Sequence, residues 1–423
     1  MSDGRVRGGM RNWRNWALGV VCALPLACGG DRVVPGETVS GLPAIASDPA
    51  APGDPMPLNP LVPPNEQEIV LTLQPGVDPI AVVAGTGLVL IESTVTPEGT
   101  MVRYANPLGA QPADLRDIEG VETADPNVEV NLGEAQTLVL GFYEGDWDEE
   151  VVLDQPWIRS LGLELVHTFV DGAGALIAVL DTGAYADHPL LQGKTIALAP
   201  EEGLESEEYH DHVDNDGDDV IDEAFGHGTH VAGCIATVAP GATILPIRVI
   251  NDDGVGSLWD ILRGMAVARD MGVDIINMSI SLSAQNGSMD EALKLCRNRG
   301  VAVLCAAGNY GNRNPTYPAW SEDAIGVASV DDYDHMSTFS GAGPRIDLAA
   351  PGEHILSSYP RGDLWAGTGT SMATPIAAGC VALVMQRLGV NALDAVETLE
   401  ETSTPISPSA GVHYGRVSPA AVL

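Results

Sequence analysis

Gly367-Thr368-Gly369-Thr370-Ser371-Met372-Ala373-Thr374-Pro375 runs directly into Ile376-Ala377-Ala378-Gly379-Cys380-Val381-Ala382-Leu383-Val384-Met385. The second half is apolar on every side and rich in alanine, the composition of a helix buried all round. Its start is predicted near Thr370 or Ser371 at the N-cap, with Pro375 at or just past the first turn, where a missing N–H costs least. A serine placed there has an unpaired backbone N–H beside it, and the macrodipole favours negative charge. That suits a hydroxyl whose attack creates an oxyanion. Taken alone, the stretch reads as the capped start of an ordinary core helix.

Two other stretches change that reading. Ala175-Leu176-Ile177-Ala178-Val179-Leu180 is an apolar run of buried-strand length, closed by Asp181-Thr182-Gly183. It would place a carboxylate at the carboxyl end of a parallel strand, where open α/β sheets gather their site residues. Gly226-His227-Gly228-Thr229-His230-Val231-Ala232-Gly233 leads into a second helix of small residues. An Asp that orients an imidazole, a His that takes a proton and a Ser that attacks make a nucleophilic triad.

In the order Asp181, His227, Ser371, these segments resemble the subtilisin-like serine proteases, from about Pro156 to the end of the chain. The resemblance implies a serine endopeptidase acting on polypeptide substrates. It also implies that Asn309, which follows Val301–Gly308, donates its amide to the oxyanion beside the Ser371 N–H. Without the triad, Asn309 would be a turn residue. Substrate is expected as an added strand beside Gly254-Val255-Gly256 and Ser279-Ile280-Ser281. Ser281 and Thr316 stand where the family usually has glycine, so the primary pocket should favour small or medium apolar residues over bulky aromatics.

The fold class expected is α/β. Apolar runs at 243–249, 273–278, 301–306, 324–330 and 346–349 alternate with helical stretches at 258–271 and 289–299. That pattern predicts a mostly parallel sheet covered by helices on both faces. The chain has 423 residues, 45% hydrophobic, with a formal charge of −38 and lysine only at Lys194 and Lys294. Phosphate recognition needs a basic footprint, so nucleic acid is an improbable partner.

Arg5, Arg7, Arg11 and Arg14 followed by an apolar run from Trp16 to Ala27 read as an export signal, residues 1–28. Its end, Leu24-Pro25-Leu26-Ala27-Cys28, resembles a bacterial lipoprotein signal, which would lipidate Cys28 and give the chain a membrane anchor. Pro25 departs from that pattern. Residues 29–65 are a Pro-, Ala- and Gly-rich tether. Residues 66–130 read as a ferredoxin-like split βαβ, similar to the inhibitory prosegment of the resembled family. Residues 131–155 are taken as an acidic, solvated connection containing the processing bond, and 156–423 as the catalytic domain.

Between Asp181 and His227 lies Asp214-Asn215-Asp216-Gly217-Asp218-Asp219-Val220-Ile221-Asp222. Carboxylates at Asp214, Asp216, Asp218 and Asp222 around a glycine match the way hard oxygen ligands wrap Ca²⁺, although the full EF-hand spacing is absent. A structural calcium there would pin the loop that carries His227, and no catalytic metal is expected. His230, three after His227, lacks the glutamate of a zinc-hydrolase motif and reads as a buried structural histidine. Cys234, Cys296, Cys305 and Cys380 read as buried thiols, a Cys234–Cys380 bridge being the alternative. Two rivals remain. Asp181-Thr182-Gly183 is also the aspartic-protease signature, but that chemistry needs a second Asp and gives Ser371 no role. A catalytically silent, calcium-binding surface scaffold would keep the same fold.

Overall fold

The computed structural model describes residues 67–132, 142–198, 204–214, 221–282, 284–311, 314–406 and 411–423. The expected signal and tether, Cys28 included, lie outside the described residues, as do Asp216 and Asp218.

The first described unit contains β1 (Glu68–Leu73), α1 (Pro79–Val82), β2 (Val89–Thr96), β3 (Gly99–Ala105), α2 (Pro112–Arg116) and β4 (Val121–Pro126). Its antiparallel sheet has the order β2-β3-β1-β4. Alternation in β1 gives the sheet two apolar faces. Ile69, Leu71 and Leu73 fill the unit's own core, while Val70 packs into the larger body beyond. Helix α2 closes at Arg116, with Asp117 at its C-cap, and Gly120 at φ 93° turns the chain into β4.

The chain continues as β5 (Glu129–Asn131), β6 (Phe142–Asp146), α3 (Glu149–Leu153), α4 (Pro156–Ser160), α5 (Leu163–Val166), β7 (Leu176–Asp181) and α6 (His227–Val238). Then come β8 (Thr243–Arg248), β9 (Val255–Ser257), α7 (Leu258–Asp270), β10 (Ile275–Met278), α8 (Gly287–Asn298), β11 (Ala302–Ala306) and β12 (Ile325–Val330). Last are β13 (Leu348–Pro351), β14 (Ile355–Tyr359), β15 (Asp363–Gly367), α9 (Thr370–Leu388), α10 (Ala392–Glu401) and β16 (Gly415–Arg416).

Among the described residues the main sheet has seven strands in the order β16-β13-β12-β11-β10-β7-β8, and every pairing is parallel. Its strands are apolar at successive positions because both faces are covered. Ile177 and Val179 of β7 face α6 and α9, whereas Ala178 and Leu180 face α7 and α8. The order reverses at β7, which sits between β8 and β10, and such a switch point opens a crevice at the carboxyl ends of the strands.

By length and composition α9 could cross a membrane, yet it is buried from Thr370 to Val384. Glycine lets it approach α6 closely: a Cβ on Gly379 would lie 2.7 Å from Val238 Cβ.

Residues 142–153, taken as solvated connection, instead carry β6 and α3, and β6 forms a sheet in the order β14-β15-β6. The acidic cluster there has a local reason. Asp148 caps α3, its Oδ1 accepting the Glu150 N–H at 3.0 Å, and Glu149 and Glu150 fill the first turn, where the helix dipole favours anions. The strand expected over 346–349 begins at Leu348: the Ile346 N–H is turned back to the Gly343 carbonyl, and the Asp347 N–H is the first to reach β12, at Gly326.

Candidate active site

Asp181 ends β7, fully buried. Its Oδ1 accepts from the Thr182 N–H at 2.8 Å and from His227 Nδ1 at 2.7 Å. A carboxylate oxygen only accepts, so Nδ1 carries the proton and Nε2 is the basic nitrogen of the ring. His227 opens α6, and the glycines around it are steric requirements. Gly226 has φ 92°, and a Cβ there would lie 2.0 Å from the Tyr359 ring. A Cβ on Gly228 would lie 2.1 Å from the Gly183 carbonyl oxygen, and the Gly228 N–H donates to Thr182 Oγ1 at 2.9 Å.

Ser371 is the second residue of α9. The cap position belongs to Gly369, not to Thr370 or Ser371, and no side chain in the helix's own first turn caps it. Asn309 does so from the end of β11: its Oδ1 accepts from Thr370 N at 2.9 Å and Thr370 Oγ1 at 3.1 Å. The other polar atom of that amide, Nδ2, is a donor only. Pro375, the sixth residue of α9, has no N–H to return to the Ser371 carbonyl. The Ser279 hydroxyl donates to that carbonyl instead, at 3.1 Å, and Ser371 Oγ approaches the Ser279 carbonyl at 3.4 Å.

α6 and α9 run side by side in the same direction. Val238 lies against Gly379 toward one end, and the His230 ring abuts Gly367 toward the other. His227 and Ser371 thus start their helices at the same edge of the sheet, the edge at which Asp181 ends β7. Ser279 follows Met278, which pairs with Leu180 in the adjacent strand.

The two segments expected to hold substrate flank this edge. Ile280 is fully buried, and Leu282 N–H donates to the Tyr317 carbonyl at 2.7 Å. Ser281 Oγ and Thr316 Oγ1 are 2.9 Å apart, and Thr316 presses on Gly308, where a Cβ would meet it at 2.6 Å. The other segment is already paired with this chain itself. β5 lies antiparallel to β9 in the register Glu129↔Ser257, Val130↔Gly256 and Asn131↔Val255, and the Leu132 N–H donates to the Gly254 carbonyl at 2.9 Å. Val130 and Leu132 are both buried.

The small sheet also caps two helices of the larger body. Asn127 Oδ1 accepts the Trp259 N–H at the start of α7 (2.9 Å), and Asp125 Oδ2 accepts the N–H and hydroxyl of Ser288 in α8, both at 2.7 Å. Glu92 pairs with Arg263 at 3.1 Å, and Glu98 with Arg269 at 3.1 Å and with Arg299.

Sequence reading missed Glu208. This buried carboxylate accepts from Thr182 Oγ1 and Gly226 N, both at 2.6 Å, from Thr229 N at 3.1 Å and from Thr229 Oγ1. Burial pushes its pKa up to about 7 despite those donors. Nothing in the acidic run Glu205-Ser206-Glu207-Glu208 distinguishes it by type.

The acidic ligand set is also redrawn. Asp222 meets Asp211 and Asp252, whose carboxylate oxygens lie within 4.8 Å of one another, and it meets His210 and His212, whereas Asp214 stands outside these groups. Asp252 is buried, with Oδ2 accepting the Asp211 N–H at 2.5 Å and Oδ1 lying 3.6 Å from Arg248. It comes thirty residues after Asp222, too far along the chain for loop spacing to reveal it. All four cysteines expected in the large body are buried free thiols, without a Cys234–Cys380 bridge.

Known proteins similar to this chain identify its family. Residues 172–406 match the subtilase family, and the chain belongs to it. It is a serine-type endopeptidase. It is 38% identical to thermitase from Thermoactinomyces vulgaris over 260 residues, 59% of this chain and 88% of that protein. It is 33% identical to a thermophilic serine proteinase of Bacillus sp. (strain AK1) over 311 residues, 70% and 71% of the two chains. Fervidolysin from Fervidobacterium pennivorans, described as a keratinolytic enzyme related to subtilisin, shares the fold, with a TM-score of 0.69 at 23% identity over 85% of this chain and 61% of that one.

His230 is fully buried, its Nε2 shared between the carbonyls of Ile355 (2.9 Å) and Trp365 (3.0 Å). Burial lowers its pKa from 6.5 to about 4. Between those values the unfolded chain binds a proton that the native chain does not, so His230 makes stability rise with pH over that window. Glu208, raised from 4.5 to about 7, acts with the opposite sign, binding a proton in the native chain first. His230→Gln should therefore flatten the rise of unfolding free energy between about pH 4 and 6.5 relative to the unmodified protein. Equilibrium denaturation across that range checks this, and an unchanged slope would contradict it.

Proposed function

We propose that Asp181, His227 and Ser371 form the catalytic triad and that Asn309 and the Ser371 N–H form the oxyanion hole. The 2.7 Å bond from His227 Nδ1 to Asp181 carries the reading, because it leaves Nε2 as a base at the edge where Ser371 stands. His227 takes the Ser371 proton while Asp181 holds its tautomer. Ser371 attacks the peptide carbonyl, the oxyanion is met by Asn309 Nδ2 and the Ser371 N–H, and water releases the acyl-enzyme. Ser371→Ala should lower kcat on the order of 10⁶-fold, the loss known for the corresponding serine of subtilisin, a member of the same family. A fluorophosphonate probe should label the unmodified protein and not the variant. Labelling that survives the substitution would exclude Ser371 as the nucleophile.

Residues 66–132 act as an inhibitory prosegment whose tail, Glu129–Leu132, fills the groove beside Gly254, Val255 and Gly256. The precursor is separated by cleavage within 133–141, between β5 and β6. It is exported through residues 1–28, with Cys28 as the site of a lipid anchor and 29–65 as tether. Ser279, Ile280 and Ser281 border the other side of the groove. The Ser281–Thr316 contact supports a shallow primary pocket. Peptide anilides ending in Ala should be cleaved with kcat/KM at least roughly tenfold above those ending in Phe. Preference for Phe would remove this assignment.

The residues around Asp222 fit a structural calcium. Asp211, Asp222 and Asp252 bring carboxylate oxygens within 4.8 Å of one another, and buried Asp252 Oδ1 lies 3.6 Å from Arg248. Hard oxygen donors of this kind suit Ca²⁺, which would neutralise them and fix the loop leading to His227. Asp216 and Asp218 would be further donors from the same loop, whereas Asp214 stands outside the groups around Asp222. EGTA should lower Tm by roughly 5–10 °C in the unmodified protein and much less in Asp252→Asn. Equal shifts in both, or none in either, would count against the site.

A further inference from the structure

We propose that Glu208 is a positioning residue for the catalytic pair, a carboxylate that locks the end of β7 to the start of α6 and so sets the Asp181–His227 geometry. This inference rests on the triad assignment above.

Four donors converge on Glu208, and they come from both sides of the pair. Thr182, next to Asp181, gives its hydroxyl; Gly226, next to His227, gives its N–H; and Thr229, two residues farther on, gives N–H and hydroxyl. Thr182 completes the link, since the oxygen that donates to Glu208 accepts the Gly228 N–H. His227 is thus bracketed by Gly226, Gly228 and Thr229, all tied directly or through Thr182 to one carboxylate. Among the described residues no Lys, Arg or His donates to it. A buried carboxylate served only by neutral donors depends on all of them, and only an acceptor-only group satisfies the set. A glutamine there would turn an NH₂ group toward two of the N–H or O–H donors.

The groups that act on Glu208 electrostatically are Asp181 on β7 and, from β14, Tyr359. To the extent that Glu208 is ionised, which burial confines to pH around and above its value of about 7, its negative charge also favours the imidazolium that forms on His227 during the reaction. Two effects are therefore expected when it is lost. The imidazole is less well held, which lowers kcat rather than binding, and the imidazolium is less favoured, which moves the acid limb of kcat to lower pH.

The test compares Glu208→Gln, Thr229→Val and Ser371→Ala as full chains. An Ala-ended peptide anilide is the substrate, and kcat is counted per site titrated with a fluorophosphonate. Glu208→Gln is expected to lose roughly 10- to 100-fold in kcat, with KM within about threefold and the acid limb displaced downward. Thr229→Val, which removes one hydroxyl donor and keeps the N–H, is expected to lose a smaller factor in kcat and serves if Glu208→Gln does not fold. If Ser371→Ala is inactive while Glu208→Gln, or Thr229→Val in its place, keeps kcat within twofold and the same pH profile, the positioning role is overturned and the triad stands. If Ser371→Ala keeps full activity, the triad reading fails and this inference falls with it.

Discussion

A buried carboxylate joined to a buried imidazole is the constraint around which this molecule is built. Asp181 and His227 are 46 residues apart in sequence and meet at 2.7 Å out of solvent. Bringing two chain segments that close leaves no room for a side chain at Gly228, whose Cβ would strike the Gly183 carbonyl, while Gly226 on the other side of the histidine is required by its φ of 92° and by the Tyr359 ring. It also buries the N–H groups of the helix start, each of which costs about 1–3 kcal/mol if left unmatched. Thr182 and Glu208 meet those groups. The sequence pattern Gly-His-Gly-Thr-His is in this sense a record of packing and hydrogen bonding as much as of chemistry.

The acidity of the chain has a use beyond solubility. The face of α7 toward the small sheet presents Arg263 and Arg269, and Arg299 follows α8 directly; Glu92 and Glu98 meet them. Asp125 and Asn127 occupy the amino ends of the same helices, where partial positive charge gathers. The small sheet is thereby oriented by polar contacts of fixed direction, while Val70 and Met101 supply apolar contact with the larger body. That orientation delivers β5 to the edge of β9.

Much of this was legible in the sequence, and for identifiable reasons. Doubly buried strands and an all-round apolar helix have patterns that few other structures produce, so the parallel sheet and α9 could be read directly. Asp181, His227 and Ser371 each stand at an element boundary marked by glycine. What stayed hidden depended on distance or on ambiguity of type. Asp252 and Glu208 are brought to their neighbours by the fold, and their local sequences look like solvated acid. The charges near Asp148 were read as loop, although the same residues are those a helix start selects. The cap of α9 was assigned to its own Thr or Ser, whereas Asn309, sixty-one residues earlier, supplies it.

The pairing of β6 with β15 has a consequence for the proposed cleavage between β5 and β6, were it to occur. The new amino terminus would emerge from a strand already woven into the body, so the downstream product would have little slack to lose and nothing to refold. The upstream fragment would keep lateral ties alone: a short ribbon on β9, the polar seats and ion pairs on two helices, and the apolar contact of Val70 and Met101. Departure of the one could then proceed without disturbing the other, and the lifetime of the inhibited state would be set by how slowly those lateral ties let go.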